Sequence, residues 1–241
     1  RLLAQKPGLS AGALLDGSYG RELEAWVTDQ FPGRNGWIAV RNIALRLMGK
    51  RDENGVYFAP GNTLVERHEE GSVDAEAAAR KVQALSDQAE EIASVVPGSV
   101  AVLLVPSAGA VQSWRLPPFA PEFDQAGWLE ETGHRLSEAG AVFLDGAKIL
   151  APHGRETIYY GTDHHWTTLG AFYGYQAFEE AMGRRRPERE DYERIPVKED
   201  FRGTLQARVN LPAAADVIER FKRAGEGEHE TALPGSGGTA G

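Results

Sequence analysis

The chain has 241 residues, 41% of them apolar and 9% aromatic, enough for one large core or a core with a small appendage. A formal charge of −9 with no basic stripe argues against a nucleic-acid partner, and the absence of cysteine excludes disulfides, thiolate chemistry and Cys-based zinc sites. No window holds the roughly 18 apolar residues that a membrane-spanning helix needs.

Taken along the chain, residues 21–29 and 37–48 are predicted as two amphipathic helices separated by the Phe31-Pro32-Gly33 break. Val56-Tyr57-Phe58 and Asn62-Thr63-Leu64-Val65 flank Pro60-Gly61 and predict a hairpin. Residues 73–96 predict the longest helix, started by Ser72 or Asp74 and closed before Pro97-Gly98. Its core stripe would be Val82, Leu85, Ala89, Ile92 and Val96. Residues 100–105 form a continuous apolar run, the mark of a strand buried on both faces in a parallel sheet. A helix over 122–139 and a strand over 141–144 complete a strand-helix-strand unit, and a third strand is expected at 157–160. Thr167 or Thr168 then caps a helix whose apolar positions are Leu169, Ala171, Phe172, Tyr175 and Phe178, ending near Gly183. Gly170 and Gly174, four apart, leave a smooth strip for close approach to a sheet. Arg184-Arg185-Arg186 suits a helix C-terminus.

Between that third strand and that helix stands Thr162-Asp163-His164-His165-Trp166, beyond the carboxyl end of a strand, where sites form in open α/β sheets. In an extended segment Asp163 and His165 share one side and His164 faces the other, which suits a catalytic base oriented by a carboxylate. The competing reading is a polar helix cap with one imidazole held by Asp163. A zinc site would join Asp163 and His164 or His165 to a distant His68, His134 or His153, but no metal-binding spacing is present and neighbouring histidines on an extended segment diverge, so no metal is assigned. Ser107, just past the 100–105 strand, is a candidate nucleophile or substrate contact, with a loop cap as the plainer role. Asp145 is expected to serve a turn.

Thr162-Asp163-His164-His165-Trp166-Thr167-Thr168-x-Gly170-Ala171 resembles the signature of the bacterial DHHW-motif proteins, which are similar to the alginate O-acetyltransferases. Supporting matches are Leu15-Asp16-Gly17, Asp29-Gln30-Phe31-Pro32, Asn54-Gly55-Val56-Tyr57-Phe58, Val105-Pro106-Ser107 and Phe201-Arg202-Gly203-Thr204-Leu205, with Arg1-Leu2-Leu3-Ala4 at the start. The resemblance implies an α/β, circularly permuted SGNH-hydrolase-like fold with a mostly parallel sheet flanked by helices. It assigns Asp163 and His165 to a Ser-His-Asp triad, with His165 as base and Asp163 holding its tautomer. In that pattern the nucleophile follows in an Asp-Ser block. Only Ser236 follows Trp166 here, in a Gly-rich run, so the chain is read as truncated on the C-terminal side.

The domain expectation is a helical and hairpin region at 1–70, an incomplete SGNH-like domain at 71–222 and a Gly-rich tail at 223–241. The function implied is O-acetyl transfer or ester hydrolysis on a cell-surface polysaccharide, without a cofactor. Its partners would be an acetylated polysaccharide or acyl donor and a membrane-bound acyl-transfer protein. Its place would be the cell envelope, outside the cytoplasm, with an anchor ahead of Arg1. Ser107, His164 and Trp166 are the candidate substrate contacts. Trp114, Trp128 and Trp166 offer stacking surfaces or core packing. The alternative is a non-catalytic carbohydrate-binding or assembly domain.

Overall fold

A computed structural model describes residues 5–29, 33–211 and 214–225. The start at Arg1-Leu2-Leu3-Ala4, the Phe31-Pro32 break and the tail with Ser236 lie outside the described residues. After a short helix α1 (Ala11–Leu15), the two expected amphipathic helices are α2 (Ser18–Asp29) and α3 (Arg34–Leu47). The latter starts from Gly33, whose φ of 70° is the left-handed conformation that glycine adopts without cost. Asn42, fully buried, anchors α3 by donating from its amide to the Val209 carbonyl at 2.5 Å.

The hairpin region is a three-stranded antiparallel sheet of β1 (Asp52–Glu53), β2 (Val56–Ala59) and β3 (Thr63–Glu66). Asn54 and Gly55, both with positive φ, make the two-residue turn between β1 and β2. All four residues of β2 are buried because both faces of the hairpin are covered. Tyr57, Ala59 and Val65 enter one core with Leu150, Ile158 and Leu169. Val56, Phe58 and Leu64, on the opposite face by the two-residue period, enter another with Leu205, Val209 and Leu211.

The long helix is α4 (Ala75–Val95), N-capped by the Asp74 carboxylate. Only Val82 and Ala89 of its expected stripe are buried; Leu85, Ile92 and Val96 are exposed. Next come β4 (Ala101–Leu104), a short α5 (Ala108–Val111), the crossover helix α6 (Gln125–Glu138) and β5 (Val142–Asp145). The two strands pair in parallel, Ala101 opposite Val142 and Leu104 opposite Asp145, as the expected strand-helix-strand unit. Gly133 lets α6 press onto β5: a Cβ there would come within 2.4 Å of the Phe143 ring. The rest of the expected parallel sheet is replaced. Among the described residues this pair stands alone, so β4 is half-buried along its length, and the third strand at 157–160 reduces to one bridge, Tyr159 to Trp166.

Asp145 caps α7 (Gly146–Leu150), the turn role expected of it. Helix α8 (Thr168–Ala181) is N-capped by Thr167. Its glycines face the interior, where a Cβ at Gly170 would lie 2.5 Å from the Ile158 carbonyl oxygen and one at Gly174 3.1 Å from Leu103 of β4. Last come β6 (Tyr192–Phe201), α9 (Thr204–Val209) and β7 (Asp216–Arg223), with β6 and β7 forming an antiparallel ribbon not expected from sequence. Phe221 and Tyr192 seat the ribbon on α8 by packing around Phe172 at 4.8 and 5.2 Å between ring centroids. The molecule is a mixed α/β assembly of helices and small sheets. No described helix is long and apolar enough to cross a membrane.

Candidate active site

The bridge between Tyr159 and Trp166 turns residues 160–165 into a tight loop at the mouth of α8. Two backbone bonds close it: Thr167 N to Ile158 O at 2.8 Å and Tyr160 N to His165 O at 3.2 Å. Trp166, half-buried, packs the edge of its ring against Gly174 of α8. The loop directs Asp163 inward and His165 outward; their side chains are 4% and 65% exposed.

The Asp163 Oδ1 atom lies 2.5 Å from His165 Nδ1 and also accepts the His165 backbone N–H at 3.0 Å. Its Oδ2 accepts the Thr204 N–H at 2.8 Å and the Thr204 hydroxyl at 3.0 Å. Burial alone would raise this carboxyl, but the bonds from Thr204 and His165 outweigh it and hold Asp163 far below the usual carboxylate range. With Nδ1–H given to Asp163, His165 presents Nε2 as its acceptor, and that atom has no partner among the described residues. A carboxylate-oriented base with an open nitrogen can take a proton from a hydroxyl nucleophile.

His164 does not face away from its neighbour, as an extended segment would require. The loop is bent, and the two imidazoles lie 3.9 Å apart at 36°. His164 Nδ1 is 2.9 Å from the Thr204 hydroxyl. Because the single proton of that hydroxyl goes to Asp163, His164 Nδ1 is the donor in this contact. Asp163, His164 and His165 place possible metal-ligand atoms within 4.8 Å of one another. All four acceptor positions of Asp163 are already filled by protein donors, so a metal on that carboxylate would have to displace one. The distant histidines do not join: His68 is beside Glu66 at 3.5 Å, and His153 is bonded to Glu156 and stacked on Tyr173.

Ser107 makes no hydrogen bond to Asp163 or His165. Its hydroxyl caps α5 and accepts from Gln125 Nε2 at 2.7 Å, while its N–H donates to Gln125 Oε1 at 2.8 Å. Among the described residues no serine hydroxyl is hydrogen-bonded to His165. Trp114 donates from Nε1 to the Gly154 carbonyl and lies under the Arg155 guanidinium at 5.0 Å. Together they wall a cavity of about 330 Å³ that reaches the 160–165 loop at Gly161 and is also lined by Asp216. Trp128 lines a separate cavity of about 270 Å³ between α4 and α6.

In the sequence, Gly203 and Thr204 stand only within a supporting match. A Cβ at Gly203 would come within 2.3 Å of the Asp163 Cβ, so only glycine allows this turn to approach the carboxylate. A Gly-Thr pair carries no chemistry of its own, and nothing in the chain signals its proximity to Asp163, 41 positions before Thr204.

A family model described as the SGNH hydrolase-like domain of the acetyltransferase AlgX matches residues 66–230. Among solved structures, a DHHW family protein from Eubacterium siraeum is similar over 72% of this chain and 56% of its own, at 24% identity and a TM-score of 0.56. Bacillus cereus PatB1 is similar over 70% of this chain and 58% of its own, at 15% identity and a TM-score of 0.52. These likenesses are likenesses of fold, and the chain spans little more than half the length of either relative. No curated protein sequence matches the chain.

Proposed function

The chain belongs to the SGNH-hydrolase-like acetyltransferase family of AlgX, and from that premise we propose that it forms the base-and-carboxylate part of an acyl-ester enzyme, an O-acetyltransferase or esterase acting on a cell-surface polysaccharide. The observation that carries the proposal is the 2.5 Å contact of Asp163 with His165 Nδ1, which leaves Nε2 open. In this reading a serine outside the described residues is the nucleophile. His165 Nε2 takes its proton as the oxygen attacks the acetyl carbonyl, and Asp163 stabilises the imidazolium. His165 then returns the proton to the departing alcohol oxygen as the acyl-serine forms. A sugar hydroxyl, or water, gives its proton to His165 and takes the acetyl group, and His165 returns that proton to the serine oxygen as the acyl-serine bond breaks. The substrate would be an acetylated polysaccharide or other acyl donor at the cell envelope, outside the cytoplasm, working with a membrane-bound acyl-transfer partner.

The lack of a serine beside His165 among the described residues favours a second reading, a non-catalytic carbohydrate-binding or assembly domain with the same fold. Acetyl release from a chromogenic acetate ester and from an O-acetylated polysaccharide separates the two when measured on the protein expressed from its complete gene. The catalytic reading expects turnover that falls on the order of a thousandfold or more in His165→Ala. Glycan binding without turnover, unchanged by that substitution, would establish the second reading instead.

A further inference from the structure

Asp163 owes its orientation to a turn that is itself held from elsewhere. Thr162, completely buried and next to Asp163, holds the Gly203–Thr204 turn at two points: its hydroxyl oxygen accepts the Gly203 N–H at 3.0 Å, and its carbonyl accepts the Gln206 N–H at 3.1 Å. The Thr162 hydroxyl has one proton, and it goes to Asp216 Oδ2 at 2.5 Å. Asp216, the first residue of β7, also accepts the N–H groups of Thr162 and Gly161, both at 2.8 Å. One carboxylate on the ribbon therefore collects three donors from the two residues that lead into the catalytic loop. Gly161 permits this closeness, since a Cβ there would meet the Thr63 methyl at 3.0 Å and Asp216 Oδ1 at 3.3 Å.

Proton direction makes the arrangement more than a pin. While Asp216 accepts, the Thr162 hydroxyl points its proton away from Gly203 and keeps a lone pair for the Gly203 N–H. That bond seats the Gly203–Thr204 turn, and the turn supplies both donors to the outer oxygen of Asp163. Removing the acceptor at Asp216 frees the hydroxyl to rotate and weakens each later link. We propose that Asp216 is a positioning residue for the Asp163–His165 pair, acting through Thr162 on the turn that orients Asp163. The role rests on the reading of His165 as the base, but its effect on the imidazole is measurable without turnover.

The test is the tautomer of His165 in 15N-histidine-labelled protein, read from two-bond 1H–15N correlations at a pH where the ring is neutral and assigned with His165→Ala. Wild type and Thr162→Ser, which keeps the hydroxyl, are expected to hold the proton on Nδ1. Asp216→Asn and Thr162→Val are expected to shift it toward the Nε2–H form that an unheld imidazole prefers. On the protein from the complete gene, the same two variants should lower kcat for acetyl release about 10–100-fold with little change in KM, the size of loss typical when outer partners of a catalytic group are removed. Retention of Nδ1–H in folded Asp216→Asn and Thr162→Val would overturn the proposal, as would a wild type without it. If Asp216→Asn does not fold, the contrast between Thr162→Val and Thr162→Ser decides. A wild type without turnover would defeat the catalytic reading alone, because the tautomer series still reports positioning.

Discussion

His165 and His164 are chemically identical and adjacent, yet their contacts give them different work. His165 is hydrogen-bonded to the Asp163 carboxylate at 2.5 Å, whereas His164 lies 3.6 Å from it and is bonded to the Thr204 hydroxyl that Asp163 accepts from. In the protein from the complete gene, Asp163→Asn should preserve the melting transition but lower acetyl release by on the order of 10⁴, since the amide cannot hold the required tautomer. His164→Ala should cost at most about tenfold, in line with a contact once removed. Equal and small losses for both, with unchanged melts, would mark the loop as a helix cap and no more. Ser107→Ala should leave acetyl release unaltered, because that hydroxyl is committed to α5 and Gln125. Loss of turnover in this variant would make Ser107 the nucleophile.

At the scale of elements, α8 is the platform on which the loop rests, and its two glycines set the distance. Gly170 faces backbone, the Ile158 carbonyl, which cannot swing away as a flexible side chain would. Gly170→Ala should therefore destabilise by about 1–3 kcal/mol, as overpacking of a tight contact does. For a chain of this size that lowers the melting temperature by roughly 2–4 °C per kcal/mol. The Thr167 hydroxyl caps α8 at Gly170 N and also donates to the Thr157 carbonyl at 2.7 Å. Thr167→Ala should cost about 1 kcal/mol or somewhat more, the usual worth of a helix N-cap. Calorimetry of both variants checks the argument; an unchanged transition in Gly170→Ala would show that α8 does not press on the loop.

Across the whole molecule, cores that are separate in sequence are joined by buried polar groups. Arg115, 4% exposed, donates to Gln112 Oε1 at 2.8 Å, the Leu64 carbonyl at 2.9 Å and the Tyr160 carbonyl at 3.3 Å, tying the end of α5, the hairpin and the 160–165 loop together. Glu122 is the opposite case: both its carboxylate oxygens are buried without a hydrogen-bond partner, close against Gly109. Burial pushes its carboxyl up to about 7; the nearby His68 N–H, which does not reach bonding geometry, offsets part of this, and the charge of Glu69 adds to it. A folded-state value above the unfolded one means that the stability it contributes is fully present below the ordinary carboxylate range and is lost as pH rises through about 7. Glu122→Gln should consequently raise the melting temperature at pH 8 and leave it nearly unchanged at pH 5. An equal shift at both pH values would mean that Glu122 is not buried as a charge.

The sequence by itself was sufficient for what is local and periodic. The 3.6-residue patterns located α2, α3, α4, α6 and α8 to within a few residues, the apolar runs located β4 and β5 and their crossover, and Pro60-Gly61 located the hairpin. It also singled out Asp163 and His165, because two such side chains so close together at a helix start are rarely needed for structure alone. Tertiary structure decided what depends on distant chain. The β6–β7 ribbon was hidden by its composition: Tyr192–Phe201 is half charged and interrupted by Pro196, and its faces are fixed by where α8 offers Phe172, not by internal alternation. The 157–160 segment became a single bridge because its partner is the returning loop itself. The extended geometry expected for Asp163-His164-His165 gave way to a bend that brings the two rings within 3.9 Å at a tilt. Thr204, Gly203 and Asp216 went unassigned for the same reason: a hydroxyl, a missing Cβ and a single carboxylate acquire meaning only when folding brings them within hydrogen-bond reach of the loop, and spacing along the chain carries no record of that contact.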